Sequence, residues 1–232
     1  EFNEIEDYFR ELISKGIIII PNSSKTEAEL LDFNEQNNFD LSFITENGSS
    51  IHGLNKIHQN LPDKIIISRT IDEIRNIYEE NISLDFKNKI THILELEREK
   101  QQKILGLPLD KIKLAIKRDH SIPIKFNGTE SEKNEFTKIL KNSGLTIQTG
   151  GRIMNVCDNV NKSIAMSEAI RLIRKKLDDE IITIGVGDNE NDIEMIKQTD
   201  YPCLVKNENF DSSLINIDLS LIHISEPTRL RR

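Results

Sequence analysis

Apolar residues recur at Ile5, Phe9, Leu12 and Ile13, the spacing of one helix face, so the chain opens inside a helix that runs to about Lys15. Gly16 stops it. The apolar run Ile17 to Ile20 reads as a buried strand ended by Pro21, and the polar turn Asn22-Ser23-Ser24-Lys25-Thr26 leads into a helix over Glu27 to Asn37. A second short strand, Leu41 to Thr45, ends at Glu46-Asn47-Gly48, where the Asn-Gly pair signals a turn. The same grammar returns late in the chain. A helix over Lys162 to Leu177 is followed by a strand over Ile181 to Val186, and Gly187-Asp188-Asn189-Glu190-Asn191-Asp192 opens a helix to about Gln198. This alternation predicts an α/β core, a parallel sheet covered by helices.

The middle has another texture. The pattern predicts a strand over Lys64 to Ser68, a helix over Thr70 to Glu80, and a long charged helix from Asp85 to Leu105. Strands Lys113 to Ile116 and Ile122 to Phe126 follow, then a helix over Glu130 to Asn142 opened by the capping pair Thr129 and Glu132, and a strand over Thr146 to Thr149. Short strands among single helices describe an α+β insert. The division expected is 1–69 for the first part of the core, 70–148 for the insert and 149–218 for the rest of the core.

Both ends change what the length means. The start, Glu1-Phe2-Asn3-Glu4-Ile5, has no Met and falls inside a helix, so a first strand is expected to be missing upstream. At the other end, Leu219-Ser220-Leu221-Ile222-His223-Ile224-Ser225-Glu226-Pro227-Thr228-Arg229 resembles a sequencing adapter translated in frame, and 219–232 is set aside as an artefactual tail.

Composition then narrows the function. The 232 residues carry 31 Lys+Arg against 39 Asp+Glu, a net charge of −8, which argues against a nucleic-acid or anionic-membrane binder held by clustered cations. An anionic small molecule remains admissible through a local positive site. Cys157 and Cys203 stand far apart with no spaced Cys or His, so neither a disulfide framework nor a zinc cluster is implied, and a reducing cytoplasm is the expected compartment. No apolar run reaches the ~20 residues of a membrane span.

Three segments could carry chemistry. Gly185 to Asp192 joins carboxylates and carboxamides at the end of an apolar strand, where a hard cation such as Mg²⁺ finds oxygen ligands, though the same residues also suit an Asx turn capping the next helix. Ser23-Ser24-Lys25-Thr26 offers hydroxyls and free N–H groups to an anion at a helix start, or simply caps that helix. Lys162 opposes the dipole in the first turn of its helix, which suits a functional charge, although an exposed surface Lys is the commoner case. His52, His58, His92 and His120 show no ligand spacing.

In this order, Ser23-Ser24-Lys25-Thr26, Glu46-Asn47-Gly48, Lys162 and Gly187-Asp188-Asn189-Glu190-Asn191-Asp192 resemble motifs of the haloacid dehalogenase-like phosphatases that carry a large inserted cap. The segment from Leu107-Pro108 to Ala115, Arg118, Ser121 and Gly150-Gly151-Arg152 resemble the branch that dephosphorylates a mannosyl- or glucosyl-3-phosphoglycerate. The resemblance implies a Rossmann-like core with an α+β cap, an aspartyl-phosphate mechanism and Mg²⁺ as cofactor. It assigns Ser23, Lys162 and Asp188 to catalysis, and Ser24, Lys25, Asn47, Arg118, Ser121, Gly151 and Arg152 to a small phosphorylated sugar-glycerate substrate. Asp188, Asn191 and Asp192 fall to the metal. An Arg fork suits a carboxylate on bare chemistry as well.

Three departures stand out. The Asp-x-Asp-x-Thr motif that supplies the nucleophile is absent, its expected place lying upstream of Glu1, so the 232-residue chain is expected to be inactive. Lys162 is flanked by Asn161 and Ser163 where the family usually has Asp and Gly, and Ile153-Met154-Asn155 replaces an aromatic-rich stretch. Two alternatives therefore accompany the reading: a phosphatase of another sugar phosphate, and a non-catalytic phosphometabolite-binding protein.

Overall fold

A computed structural model describes residues 2–149, 153–177 and 180–207. Helix α1 (Phe2–Ser14) ends at Gly16, whose φ of +82° is a left-handed conformation that suits glycine. Helix α2 (Glu27–Gln36) follows the Asn22–Thr26 turn. Strands β1 (Phe43–Thr45), β2 (Ser50–His52) and β3 (Lys64–Ile66) form an antiparallel sheet in that order. Helix α3 (Ile71–Asn81), short helix α4 (Leu84–Lys87), β4 (Ile90–His92), α5 (Arg98–Leu105) and α6 (Leu109–Ala115) come next. Then follow β5 (Ser121–Phe126), α7 (Glu130–Asn142), β6 (Leu145–Thr149) and β7 (Met154–Asp158), with β4, β5, β7 and β6 forming an antiparallel sheet in that order. Helix α8 (Lys162–Leu177), β8 (Ile184–Gly187), α9 (Ile193–Lys197) and β9 (Tyr201–Leu204) complete the described chain. β8 and β9 are parallel, and a parallel bridge joins Asn22 to Ile44.

Two larger cores organise these elements. In the insert, alternate residues Ile122 and Ile124 of β5 and Met154 and Val156 of β7 pack with Ile74 and Tyr78 of α3 and Phe136 and Leu140 of α7. The opposite face of those strands carries Ser121, Pro123, Asn155 and Cys157, with Pro123 registered against Asn155. In the other core, Ala165, Ala169 and Ile173 line one stripe of α8 and close over Ile44 and Ile51 of β1 and β2.

Several expected elements are redrawn. The helix expected over Asp85 to Leu105 is broken, because Ile90 to His92 pairs with β5, Ile90 opposite Phe126; ladder bonds and apolar packing outweigh the weak helix preference of a charged stretch. Lys113 to Ile116 is helical rather than a strand. Pro108 precedes α6 and Ile112 and Ala115 are buried three residues apart, a helical stripe. Ile17 to Ile20 is extended without being a ladder strand, since bonding to β1 begins only at Pro21 and Ser23. After Gly187 a 3₁₀ turn, Glu190–Asp192, precedes the shorter α9. Strands β2, β7 and β9 go beyond the elements the pattern predicts, and β7 carries the insert's sheet on to Asp158.

The first sheet contains a buried polar chain. Thr45 Oγ1 lies 2.7 Å from Ser50 Oγ, which lies 2.8 Å from Nε2 of His52, while His52 stacks on Phe43 at 5.0 Å between centroids and its Nδ1 is 3.4 Å from Glu27 Oε1. Burial pushes the His52 pKa below 6.5, against the opposing pull of Glu27. The unfolded chain then takes the proton first as pH falls, so the stability held by neutral His52 is complete above about 6.5 and lost below it. Thermal unfolding followed from about pH 7.5 to 5.5 is expected to show this decline, and His52→Gln is expected to flatten it. An unchanged slope in the variant refutes the assignment.

Candidate active site

The turn after Pro21 is held from below. The Ser23 N–H donates to the Ile44 carbonyl at 3.0 Å, and the Ser23 carbonyl accepts from Asn47 N–H at 2.8 Å. Thr26 and Glu29 form the capping box of α2. Capping therefore belongs to Thr26, and Ser24 and Lys25 stand exposed beside a half-buried Ser23. The Ser23 hydroxyl accepts the Lys25 N–H at 3.3 Å within the turn.

Glu46-Asn47-Gly48 meets this turn at close range. All three residues have positive φ, +43°, +57° and +103°, a conformation that costs energy in Glu and Asn and is commonest where function demands it. Gly48 is required by space as well, because a Cβ there would overlap the carbonyl of Asn161. Asn161 in turn accepts the Ile164 N–H through its side chain at 2.9 Å, capping α8, and its Nδ2 donates to Glu194. Asn22 Nδ2 donates to the Lys162 carbonyl at 2.9 Å, tying the first turn to the start of α8.

Lys162 is not a surface residue. It is 9% exposed, and its Nζ donates to Asp192 Oδ1 at 2.6 Å. The second oxygen of Asp192 accepts the N–H groups of Asp188 and Asn189, each at 3.2 Å, so this carboxylate ties the loop after β8 to the cation. Asn189 is the cap of the 3₁₀ turn. Asp188, at the carboxyl end of β8, is exposed, with Oδ2 accepting from Asn207 at 3.1 Å, and Asn191 Nδ2 reaches Asn47 Oδ1 at 3.5 Å.

The set Asp188, Asn191 and Asp192 is thus divided. Asp192 faces inward to Lys162, while Asp188 faces solvent at a strand end. Among the described residues no group of three or more His, Cys, Asp or Glu is arranged to hold a metal. Mg²⁺ keeps several waters and takes one or two carboxylates, so Asp188 as a lone protein carboxylate, near the carboxamide of Asn191, fits its donor chemistry.

From the insert, Arg118 reaches over the first turn. Its side chain is 9% exposed; Nη1 donates to the Ser24 carbonyl at 3.3 Å and to Ser121 Oγ at 3.2 Å, while its buried Nε has no partner among the described residues. A cavity of about 110 Å³ lies here, lined by Ser24 and Lys25 on one side and Leu107, Arg118, Pro123 and Ile153 on the other. Ser121 differs from expectation in one respect: its hydroxyl hydrogen goes to Glu46 rather than to the cavity. His120 is buried and its Nδ1 donates to the Arg69 carbonyl at 2.9 Å. Gly151 and Arg152, and the tail 219–232, lie outside the described residues.

Glu46 has contacts that sequence reasoning does not anticipate. The sequence places it in a turn and in a family-like motif without a role for its side chain, which is 2% exposed and reaches the insert.

Residues 3–211 match the haloacid dehalogenase-like hydrolase family along most of the chain. The chain belongs to that family. It is 26% identical to the glucosyl-3-phosphoglycerate/mannosyl-3-phosphoglycerate phosphatase of Persephonella marina, covering 91% of this chain and 84% of the relative. It is 30% identical to the mannosyl-3-phosphoglycerate phosphatase of Pyrococcus furiosus, covering 84% and 80%. In fold it is similar to a crystal structure from Thermoplasma acidophilum, with a TM-score of 0.61 at 13% identity over 89% of this chain and 78% of that one. The relationship makes this haloacid dehalogenase-like hydrolase a phosphoric monoester hydrolase, which sets aside the non-catalytic binder. Among the described residues no helix is long and apolar enough to cross a membrane.

Proposed function

We propose that the protein is a cytoplasmic, Mg²⁺-dependent phosphatase that hydrolyses a mannosyl- or glucosyl-3-phosphoglycerate to the glycosylglycerate and phosphate through an aspartyl-phosphate. The observation that carries this reading is the cavity shared by Ser24, Lys25 and Arg118, which brings a turn suited to phosphate against a buried guanidinium with an unpartnered N–H. A ligand with phosphate at one end and carboxylate nearby answers both. The activities named for the Persephonella marina and Pyrococcus furiosus relatives support that ligand.

In this reading Ser23, Ser24 and Lys25 bind the phosphoryl oxygens through a hydroxyl, N–H groups and a cation. Lys162, held rigid by Asp192, offsets the negative charge of the phosphoryl group and of the attacking carboxylate without having to reorganise. Asn47 lines the same turn, Arg118 takes the glycerate carboxylate in a fork, and Gly151 and Arg152 complete the substrate contacts. Asp188 ligates Mg²⁺ with Asn191 beside it, while Asp192 supports the loop. When bound, Mg²⁺ supplies charge neutralisation of the transferring phosphoryl oxygens. The attacking carboxylate is assigned to an Asp-x-Asp motif, which the 232 residues do not contain.

Phosphate release is to be measured on mannosyl-, glucosyl- and other sugar phosphates, with and without Mg²⁺, for the chain extended by its upstream coding sequence. The glycosyl-3-phosphoglycerates are expected to be preferred and the activity to need Mg²⁺. Asp188→Ala is expected to lower kcat about a hundredfold or more, the scale of losing one preorganised electrostatic group. A fully active Asp188→Ala enzyme, or a preference for another phosphate ester, defeats the reading.

A further inference from the structure

A closed ring of contacts joins the two ends of the cavity. Starting at the phosphate turn, the Lys25 carbonyl accepts the Glu46 N–H at 2.9 Å. The Glu46 side chain then leaves the first sheet and enters the insert, where Oε1 accepts the Asp119 N–H at 2.9 Å and Oε2 accepts the Ser121 hydroxyl. Because Ser121 gives its only hydrogen to Glu46, its remaining lone pairs can only accept, and they accept from Arg118 Nη1 at 3.2 Å. The same Nη1 returns to the Ser24 carbonyl at 3.3 Å, one residue from the start. Glu46 Oε2 and Arg118 Nη1 are 3.8 Å apart, too long for a direct hydrogen bond, so the carboxylate acts on the guanidinium through the serine and through its charge.

Both groups are buried, Glu46 at 2% and Arg118 at 9% exposure, and the backbone of Glu46 is held at a left-handed φ of +43°. A buried carboxylate is costly unless its oxygens are satisfied, and both oxygens of Glu46 are taken by donors of the insert. We infer that Glu46 is a positioning residue: through Ser121 it fixes Arg118 at a set distance from the phosphate turn, and so sets the preference for ligands that carry a carboxylate next to the phosphate ester. This rests on the proposed substrate class and adds the residue that would tune it.

The test is the ratio of dissociation constants for glycerol 3-phosphate and 3-phosphoglycerate, two probes that differ in the carboxylate, measured by calorimetry on the 232-residue chain. Wild type is expected to prefer 3-phosphoglycerate by about tenfold or more, as for one charge-assisted hydrogen bond. Glu46→Gln is expected to bring the ratio close to one while glycerol 3-phosphate binds as in wild type, because the amide carries no charge to act on Arg118 and, with its oxygen on the Asp119 N–H, turns an NH2 toward Ser121 in place of the acceptor that anchors the serine hydrogen. Ser121→Ala keeps the carboxylate and removes the relay, and is expected to lose the preference too, which guards against a Glu46→Gln protein that does not fold. A general loss of structure weakens both probes together and leaves the ratio unmoved. An unchanged or larger ratio in either folded variant overturns the role of Glu46 and leaves the phosphatase reading intact. A wild-type chain that binds both probes equally overturns the carboxylate subsite and Glu46 with it, and no binding of either probe overturns the site.

Discussion

Asp192→Ala is expected to lower the unfolding free energy by about 3–5 kcal/mol, the cost of leaving a buried cation without its partner. Lys162 is 10% exposed in its side chain and Asp192 7%, with 2.6 Å between Nζ and Oδ1, so solvent can replace little of the lost interaction. Asp192 also accepts the N–H groups of Asp188 and Asn189 through its other oxygen, and the alanine leaves those donors unpaired in the same loop. For a chain of this size, such a loss lowers Tm by on the order of 6–20 °C. Asp192→Asn keeps an acceptor for the loop and removes only the charge, so its loss is expected to be smaller. Lys162→Met combined with Asp192→Asn removes the stranded cation and is expected to regain part of the stability, because an ion pair deleted on both sides leaves no buried charge. The double variant is nevertheless expected to lose phosphate affinity. Calorimetric unfolding of the three proteins checks the order, and an Asp192→Ala protein within about 1 kcal/mol of wild type refutes the buried pair as a structural element.

Gly48→Ala is the second large effect expected. At φ +103° an alanine backbone is strained by roughly 1–3 kcal/mol, and its Cβ would also overlap the carbonyl of Asn161. The second cost falls on backbone at the start of α8, which cannot turn aside as a flexible side chain would. Asn161 and Lys162 must move away from the Glu46 turn, and with them the ammonium group that the phosphate site depends on. Gly16 is the natural control, with φ +82° and no atom of the described residues within 4 Å of the place a Cβ would take, so Gly16→Ala carries the backbone strain alone. Denaturant titration is expected to place Gly48→Ala at least about 2 kcal/mol below Gly16→Ala. Phosphate affinity is expected to fall in the first and stay unchanged in the second. Equal losses in the two variants exclude the close approach at Asn161.

Helix α7 and its Thr129–Glu132 capping box, helix α8 from Lys162 to Leu177, and α3 beginning after Thr70 are local objects. Their apolar spacing and caps lie within a dozen residues, so pattern reading finds them. Strands are harder to read because pairing partners are distant. β4 is a strand on account of β5, more than thirty residues away, and α6 is a helix whose apolar positions, Ile112 and Ala115, show their spacing only once its true start after Pro108 is known.

The site divides along the same line. The Ser23 turn, Lys162 and the Asp188 loop stand out as candidates from residue type and position, while Arg118 is a candidate only through the family resemblance. The sequence also carries, on its own, the α/β class and the insert, because helix caps, strand-end turns and apolar spacing are local, whereas the phosphoryl-directed chemistry comes from the family resemblance of those turns. Tertiary structure alone decides that Lys162 is buried on Asp192, that Asp192 faces inward while Asp188 faces out, and that Ser121 bonds both Glu46 and Arg118. Those facts rest on contacts between segments 30 or more residues apart, such as Lys162 with Asp192 and Glu46 with Ser121, and burial and hydrogen-bond direction exist only once such segments have met.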